Sequence, residues 1–282
     1  MAPGNYLNSV VALDLQTGAV KWATGMQQWD TWTRACFTQP GSPNCPVPNS
    51  PDWDFGGGVN VFTVQSPGGP PRDIVGAGQK SGIYWALDPD TGKVLWGTQV
   101  GPGGTYGGIQ FGTAVDDGRI FVAISNRELK PYTLKSGQRA AAGSWSALDA
   151  ATGQILWQTP DPAQYPLDAQ ERPANPHAFD SGGMAVANGV VYAGSMDLEG
   201  HMYALDAATG AIRWRYASGG SVNSGPAVVN GVVYWGSGYG RRGLGSPNNA
   251  LYAFSLPEPG QGPPPGRPPR QKKEPPRDPV GY

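Results

Sequence analysis

A fourteen-residue phrase is written four times along this chain of 282 residues: SVVALDLQTGAVKW at 9–22, IYWALDPDTGKVLW at 83–96, SWSALDAATGQILW at 144–157 and HMYALDAATGAIRW at 201–214. A fifth copy, NALYAFSLPEPG at 249–260, keeps the first half and then fails. Between the shared alanines Ala12, Ala86, Ala147, Ala204 and Ala253 the steps are 74, 61, 57 and 49 residues. Self-similarity at such a period means that each repeat is one small unit burying its apolar face on the next.

The apolar run before each aspartate is a strand, and Asp-x-x-Thr-Gly is a tight turn. Aspartate accepts hydrogen bonds from turn amides, and glycine takes the positive φ that other residues avoid. A second strand then ends on Trp22, Trp96, Trp157 or Trp214. A large flat indole suits the gap between radially arranged sheets, so these four are assigned a structural docking role.

Two more strands precede each phrase. SGGMAVANGVVYAGS (181–195) and SGPAVVNGVVYWGS (224–237) are near-copies hinged on Asn-Gly. FGTAVDDGRIFVAIS (111–125) turns on Asp-Gly, and GVNVFTVQSPGGPPRDIVGAG (58–78) is a longer fourth version. The expected fold is therefore all-β, a β-propeller of four-stranded antiparallel blades with 17 strands grouped 2, 4, 4, 4 and 3. That makes three whole blades and two partial ones, an arc of a larger ring. The composition agrees: 43 Gly, 29 Pro, 10 Trp and 12 Tyr with 15% charged residues suit short strands and frequent turns.

Repeats are expected over 1–256. Residues 257–282, with ten prolines and almost nothing to bury, are expected to form an extended, disordered tail. A net charge of −1 argues against nucleic acid as a partner, and no apolar run is long enough to span a membrane. No signal peptide is visible at the N-terminus. Cys36 and Cys45 lie nine positions apart in a Pro/Gly/Asn-rich loop. They read as a loop-closing disulfide formed in an oxidising compartment, the alternative being two free thiols. No CxxC, haem-attachment or zinc spacing occurs.

The A-L-D-x-x-T-G-x-x-x-W phrase resembles the tryptophan-docking motif of the eight-bladed quinoprotein alcohol dehydrogenases, which depend on pyrroloquinoline quinone (PQQ). NSVVALDLQTGAVKWATGMQQWDTWTRAC, VGAGQKSGIYWALDPDTGKVLW and QVGPGGTYGGIQFGTAV look, more narrowly, like polyvinyl-alcohol dehydrogenases. The resemblance covers residues 4 to about 256 and matches the C-terminal part of such enzymes. It implies PQQ on the propeller axis with calcium at one edge, an aspartate as general base and a cation facing the quinone carbonyls. It also implies a periplasmic or extracellular location and electron transfer from a secondary alcohol to a cytochrome.

Residue by residue, Lys80 matches the cation, whose charge would stabilise carbonyl oxygens that gain electron density. Gly107, Gly108 and Gln110 match a cofactor-side loop, although glycines there also suit a strand approaching a crowded axis. Trp29-Asp30-Thr31-Trp32 and Asp52-Trp53-Asp54 are similar to loops over the cofactor mouth, with packing indoles and turn aspartates as the alternative. No catalytic residue is assigned, because Gly4 stands where the family has its aspartate. No metal ligand is assigned either, since the calcium ligands belong to blades upstream of this stretch. His177 and His201 are not expected to act as a pair. The expected function is the C-terminal segment of a PQQ-dependent alcohol dehydrogenase, inactive alone, whose partners are a cytochrome or the missing propeller half. The alternative is a non-catalytic propeller scaffold, including the outer-membrane assembly type.

Overall fold

The computed structural model of the chain describes residues 5–27, 30–39, 41–65 and 68–257. Gly4, Trp29 and the tail from residue 258 onward lie outside the described residues.

The chain opens on an antiparallel pair, β1 (Ser9–Leu13) and β2 (Val20–Gly25). A long connection follows, carrying the five-residue helix α1 (Arg34–Thr38) and the disulfide Cys36–Cys45, whose Cα atoms are 4.7 Å apart. The first complete sheet is β3 (Asn60–Val64), β4 (Arg72–Gly78), β5 (Ile83–Leu87) and β6 (Val94–Gln99). The second begins with β7 (Ala114–Asp116) and β8 (Arg119–Ile124). A two-residue-per-strand hairpin, β9 (Tyr132–Thr133) with β10 (Arg139–Ala140), then intervenes before β11 (Ser144–Asp149) and β12 (Ile155–Pro160) complete the sheet. A third sheet holds β13 (Ala185–Ala187), β14 (Val190–Gly194), β15 (His201–Asp206) and β16 (Ile212–Ala217). The last has three strands, β17 (Ala227–Val229), β18 (Val232–Ser237) and β19 (Ala250–Ser255). The expected grouping of 2, 4, 4, 4 and 3 is therefore found, and the β9–β10 hairpin is an addition that the repeat pattern did not announce.

The first strands β3, β7, β13 and β17 lie against one another in sequence, which arranges the blades about a common axis. Four apolar clusters fill the spaces between successive sheets. In the one joining the second and third complete blades, Trp145 and Tyr203 are fully buried with ring centroids 4.8 Å apart.

The repeated phrase has one local geometry. In the third copy, Asp149 Oδ1 accepts from the Ala151 and Thr152 amides at 3.1 and 2.8 Å and from the Thr152 hydroxyl at 2.8 Å. Gly153 follows at φ +75°. In all four copies the strand pairing slips by one residue between the alanine and the leucine, as a β-bulge does.

The turns of the second, third and fourth copies each receive a tryptophan from the preceding blade. Trp22 Nε1 donates to Pro89 O at 2.8 Å and Trp157 Nε1 to Ala207 O at 3.1 Å. Two residues beyond each indole, Thr24, Thr98 and Thr159 donate to the carbonyls of Gly92, Gly153 and Gly210 at 2.7, 2.8 and 2.7 Å. Trp96 takes the same place over Gly153, with its Nε1 buried and without an acceptor among the described residues.

Trp214 is placed differently. It packs edge-on against Phe254 at 4.9 Å and is 38% exposed. The fifth copy of the phrase has no Thr-Gly turn to receive it, and Tyr216 stands where the other copies carry threonine.

Candidate functional site

The connections on one face of the blades surround a cavity of about 670 Å³. Segments just ahead of first strands contribute Gln110, Phe179, Ser181 and Asn223, and turns between second and third strands contribute Lys80, Arg127, Met196 and Tyr239. The long connection after β2 adds Trp32, Asp52, Asp54 and Phe55. The cavity is thus assembled from stretches remote in sequence but equivalent in the repeat.

Lys80 sits in a rigid turn. Gly82 N donates to Gln79 O at 2.9 Å, while the fully buried Gln79 side chain accepts from Ser81 Oγ at 2.7 Å and Trp85 Nε1 at 3.0 Å. The Lys80 amide donates to Asp54 O at 3.1 Å, fixing the turn against the loop that carries the two aspartates. Its ammonium donates to Asp52 Oδ1 at 2.8 Å and to Asp54 Oδ2 at 3.1 Å. Burial pushes the Asp52 carboxyl up despite the ammonium beside it. Burial acts the same way on Asp54, but the hydrogen bonds from Asp52 and Lys80 outweigh it and bring its carboxyl down. Burial alone would depress the ammonium of Lys80; the bonds to both carboxylates reverse this and raise it. Asp52 therefore holds a proton longer than its partner, and Lys80 stays charged.

Of the other residues singled out by the sequence, Gln110 lines the cavity and donates from Nε2 to Gly107 O at 2.5 Å. Gly107 and Gly108 stand behind that wall. Gly108, at φ +63°, donates to Pro102 O at 2.9 Å, and a β-carbon on it would collide with the Lys80 carbonyl. The glycine run lets the loop press against the Lys80 turn. Trp32 reaches the cavity, whereas Asp30 is used internally, accepting from the Trp32 amide and Ser50 Oγ. His177 and His201 are held apart, the first near Leu244 O at 3.4 Å and the second on Asp197 Oδ2 at 2.7 Å.

Two features escaped the sequence reading. One is Arg127, whose guanidinium carbon lies 5.0 Å from the centroid of the Tyr106 ring at the cavity wall. The other is the buried group of Asp161, Asp180 and Asp197, behind the wall between the second and third complete blades. Among the described residues no cluster of three or more His, Cys, Asp or Glu is gathered so as to hold a metal ion. Among them, too, no helix is long and apolar enough to cross a membrane.

An arc of tryptophan-docked four-stranded blades around an axial cavity defines a β-propeller repeat protein. The family model of PQQ-type repeats, described as outer membrane protein assembly factor BamB, matches residues 7–140 and 141–255, and the chain belongs to that family. It is 33% identical to a polyvinylalcohol dehydrogenase of Sphingopyxis sp. strain 113P3, over 90% of this chain and 40% of that protein. A polyvinylalcohol dehydrogenase of Pseudomonas sp. is 31% identical over 88% of this chain and 39% of its own length. The chain thus spans about two fifths of the curated relatives it matches. The quinohemoprotein alcohol dehydrogenase of Comamonas testosteroni superposes with a TM-score of 0.58 at 19% identity, over 91% of this chain and 44% of that one, a likeness of fold.

Proposed function

We propose that this chain is the C-terminal propeller segment of a PQQ-dependent dehydrogenase acting on secondary alcohols of the polyvinyl-alcohol type. The observation that carries the reading is Lys80, a charged and rigidly held ammonium on the wall of an axial cavity, in a chain whose relatives are polyvinylalcohol dehydrogenases. A flat quinone fits these residues. Lys80 would face its carbonyl oxygens, Gln110 would lie at its edge, and the rings of Trp32 and Phe111 would cover its plane. When bound, such a quinone supplies the two-electron acceptor for alcohol oxidation. The chain's own residues bind and orient it, and the Lys80 charge favours electron density at the adjacent oxygen. Among the described residues no group of three or more His, Cys, Asp or Glu is gathered to ligate calcium, and the two carboxylates at the cavity, Asp52 and Asp54, are bonded to Lys80.

Two considerations support inactivity of the segment alone. Gly4 has no proton-accepting group, and the carboxylates that do reach the cavity, Asp52 and Asp54, are engaged by Lys80. A general base must have a free lone pair within reach of the substrate hydroxyl. The disulfide supports an oxidising compartment, periplasmic or extracellular. A cytochrome is the electron acceptor proposed for the whole enzyme, with further propeller blades as partner.

The second reading is a non-catalytic propeller scaffold, favoured by the assembly-factor description of the family model. Titration of the chain with PQQ, followed by tryptophan fluorescence and calorimetry, separates the two. Saturable quenching that weakens in Lys80→Ala supports the quinone site; no uptake by either protein supports the scaffold. A dye-linked alcohol assay with PQQ and calcium should give no turnover, and measurable turnover by the chain would overturn the proposed inactivity.

A further inference from the structure

Asn-Gly occurs twice in the chain, at Asn188-Gly189 and Asn230-Gly231, each time as the two-residue loop of a hairpin. Ala187 pairs with Val190 across the first loop, and Val229 with Val232 across the second. The backbones match: φ is +51° and +74° in one loop and +50° and +77° in the other, the mirror-image turn that such hairpins use. Both asparagines are exposed, and the flanking sequences, Ala-Asn-Gly-Val and Val-Asn-Gly-Val, differ in one side chain. The two loops are alike in local chemistry and differ in what holds them.

The first loop is tied down. Gly189 O accepts from the Ala207 amide at 2.9 Å, and Ala207 is itself buried, with its carbonyl bonded to Trp157 Nε1 at 3.1 Å. The Asp-Gly loop of the second complete blade has the same tie, Gly118 O accepting from the Ala150 amide at 2.9 Å. In the fifth phrase the place of Ala207 falls to Leu256, three residues beyond the shared alanine Ala253. Leu256 is 89% exposed, and among the described residues no group donates to Gly231 O. The failed phrase thus leaves the Asn230 loop without the tie that its counterparts have, and local opening is easier there.

We infer that Asn230 is a self-modification site, converted in the folded chain to aspartate and isoaspartate by its own backbone. The Gly231 nitrogen, giving its proton to solvent base, attacks Cγ of Asn230. The new N–Cγ bond closes a succinimide ring, and the Cγ–Nδ2 bond breaks as the amide nitrogen takes a proton and leaves as ammonia. Water then adds to one of the two ring carbonyls. Breaking the N–Cγ bond gives aspartate; breaking the original peptide bond instead gives isoaspartate, with the main chain running through Cγ. Ring closure needs the backbone to leave its hairpin conformation, which the tie at Gly189 resists and the untied Gly231 permits. Nothing lies within 4 Å of where a Gly231 β-carbon would be, so the loop has room to turn. The isoaspartyl form adds a main-chain carbon to a two-residue loop, and the Val229–Val232 pairing cannot keep its register around it. The modification therefore loosens β17 and β18 and leaves an exposed carboxylate on the last sheet.

The test follows both asparagines in the whole folded chain during incubation in mildly alkaline buffer, by peptide mapping with mass spectrometry and by labelling with an isoaspartyl methyltransferase. Asn230 should convert about two- to tenfold faster than Asn188, the factor that one net hydrogen bond supplies. In the denatured chain the two rates should converge, because the local sequences are nearly the same. Ala207→Pro removes the amide that ties Gly189 and should bring Asn188 toward the rate of Asn230. Proline suits that place, since Pro89 occupies it in the second copy and still accepts from Trp22 Nε1 at 2.8 Å. Melting establishes that the variant is folded, and the wild-type comparison decides the matter if it is not. Hydrogen exchange in isoaspartyl protein should be faster in β17 and β18 than in unmodified protein. Equal rates at the two sites in the folded chain, faster conversion of Asn188, or a folded Ala207→Pro with an unchanged Asn188 rate overturns the inference.

Discussion

Trp157 lies so close over Gly210 that a β-carbon on the glycine would stand 2.5 Å from the indole Cε3. Gly210 also has φ +73°. Two independent requirements thus meet at one residue of the Thr-Gly turn: a left-handed backbone and contact with the tryptophan of the preceding blade. Gly92 under Trp22 and Gly153 under Trp96 repeat the arrangement.

Gly189 has the same backbone, φ +74°, but nothing within 4 Å of where its β-carbon would be. Gly189→Ala should therefore cost only the left-handed strain, about 1–2 kcal/mol. Gly210→Ala should cost clearly more, because the indole must also move. Urea denaturation of both variants decides the matter, and equal losses would mean that docking is not limited by this contact.

The tryptophans themselves should divide. Trp157 is 8% exposed and hydrogen-bonded, so Trp157→Ala is expected to cost about 3–5 kcal/mol. Trp214 is 38% exposed, and the fifth phrase offers no Thr-Gly to receive it, so Trp214→Ala should cost about 1–2 kcal/mol, in proportion to the area it covers. The comparison is read from denaturation midpoints at matched m-values.

The docking lattice was legible in the sequence because the phrase is written four times and Trp22, Trp96 and Trp157 each make the same contact with the next Thr-Gly turn. Even the Trp214 exception is written there, since the fifth phrase lacks its Thr-Gly and the fourth has Tyr216 for threonine. The cavity was legible only in part. Lys80, Gln110, Asp52 and Asp54 were found by resemblance, but the ion pairs among them depend on a long loop folding back by 26 to 28 residues. Arg127 gave no signal, because an arginine following a strand looks like any solvated charge until its neighbours are known. The β9–β10 hairpin escaped for a related reason. Its two-residue strands are too short for an alternating pattern, and its outer side is held by the ion pair between Arg139 and Glu171, 32 residues apart.

Removing Lys80 should expose the cost of a buried carboxylate. In Lys80→Met, Asp52 loses the ammonium that partly offsets its burial, and its carboxyl should rise further. The destabilisation should be about 1–3 kcal/mol at pH 8, where Asp52 must ionise, and smaller at pH 5, where it can stay protonated. Adding Asp52→Asn should recover most of the loss at pH 8. A loss independent of pH, unrelieved by the second substitution, would reduce the role of Lys80 to packing.

Behind the cavity, Asp180 is fully buried with no hydrogen-bond donor to either oxygen among the described residues, and Asp161 beside it is also fully buried. Burial pushes Asp180 well above the ordinary carboxylate range, and the charges of Asp161 and Asp197 push it the same way. Burial raises Asp161 to about 6, although it accepts from Ser195 Oγ at 2.5 Å and from the Ala163 amide at 2.8 Å. A carboxyl whose folded value lies above its unfolded one binds protons more tightly when folded. Its stabilisation is complete below about pH 4 and is lost as pH rises through the folded value. For Asp161 that loss is on the order of 3 kcal/mol, concentrated between about pH 4 and 6, and for Asp180 it continues to higher pH. His201, raised by its bond to Asp197, acts with the same sign. The exposed turn aspartates, such as Asp206 at about 2, act with the opposite sign, but only in acid. The protein should therefore melt at a higher temperature at pH 5 than at pH 8. Asp180→Asn, which cannot ionise and whose amide can donate to Asp161, should raise the pH 8 melting temperature and flatten the dependence, while His201→Gln should leave most of the slope. A melting temperature that climbs from pH 5 to pH 8 in wild type would mean that Asp180 is ionised and compensated in the folded protein, and the assignment of a retained proton to this buried group would fall.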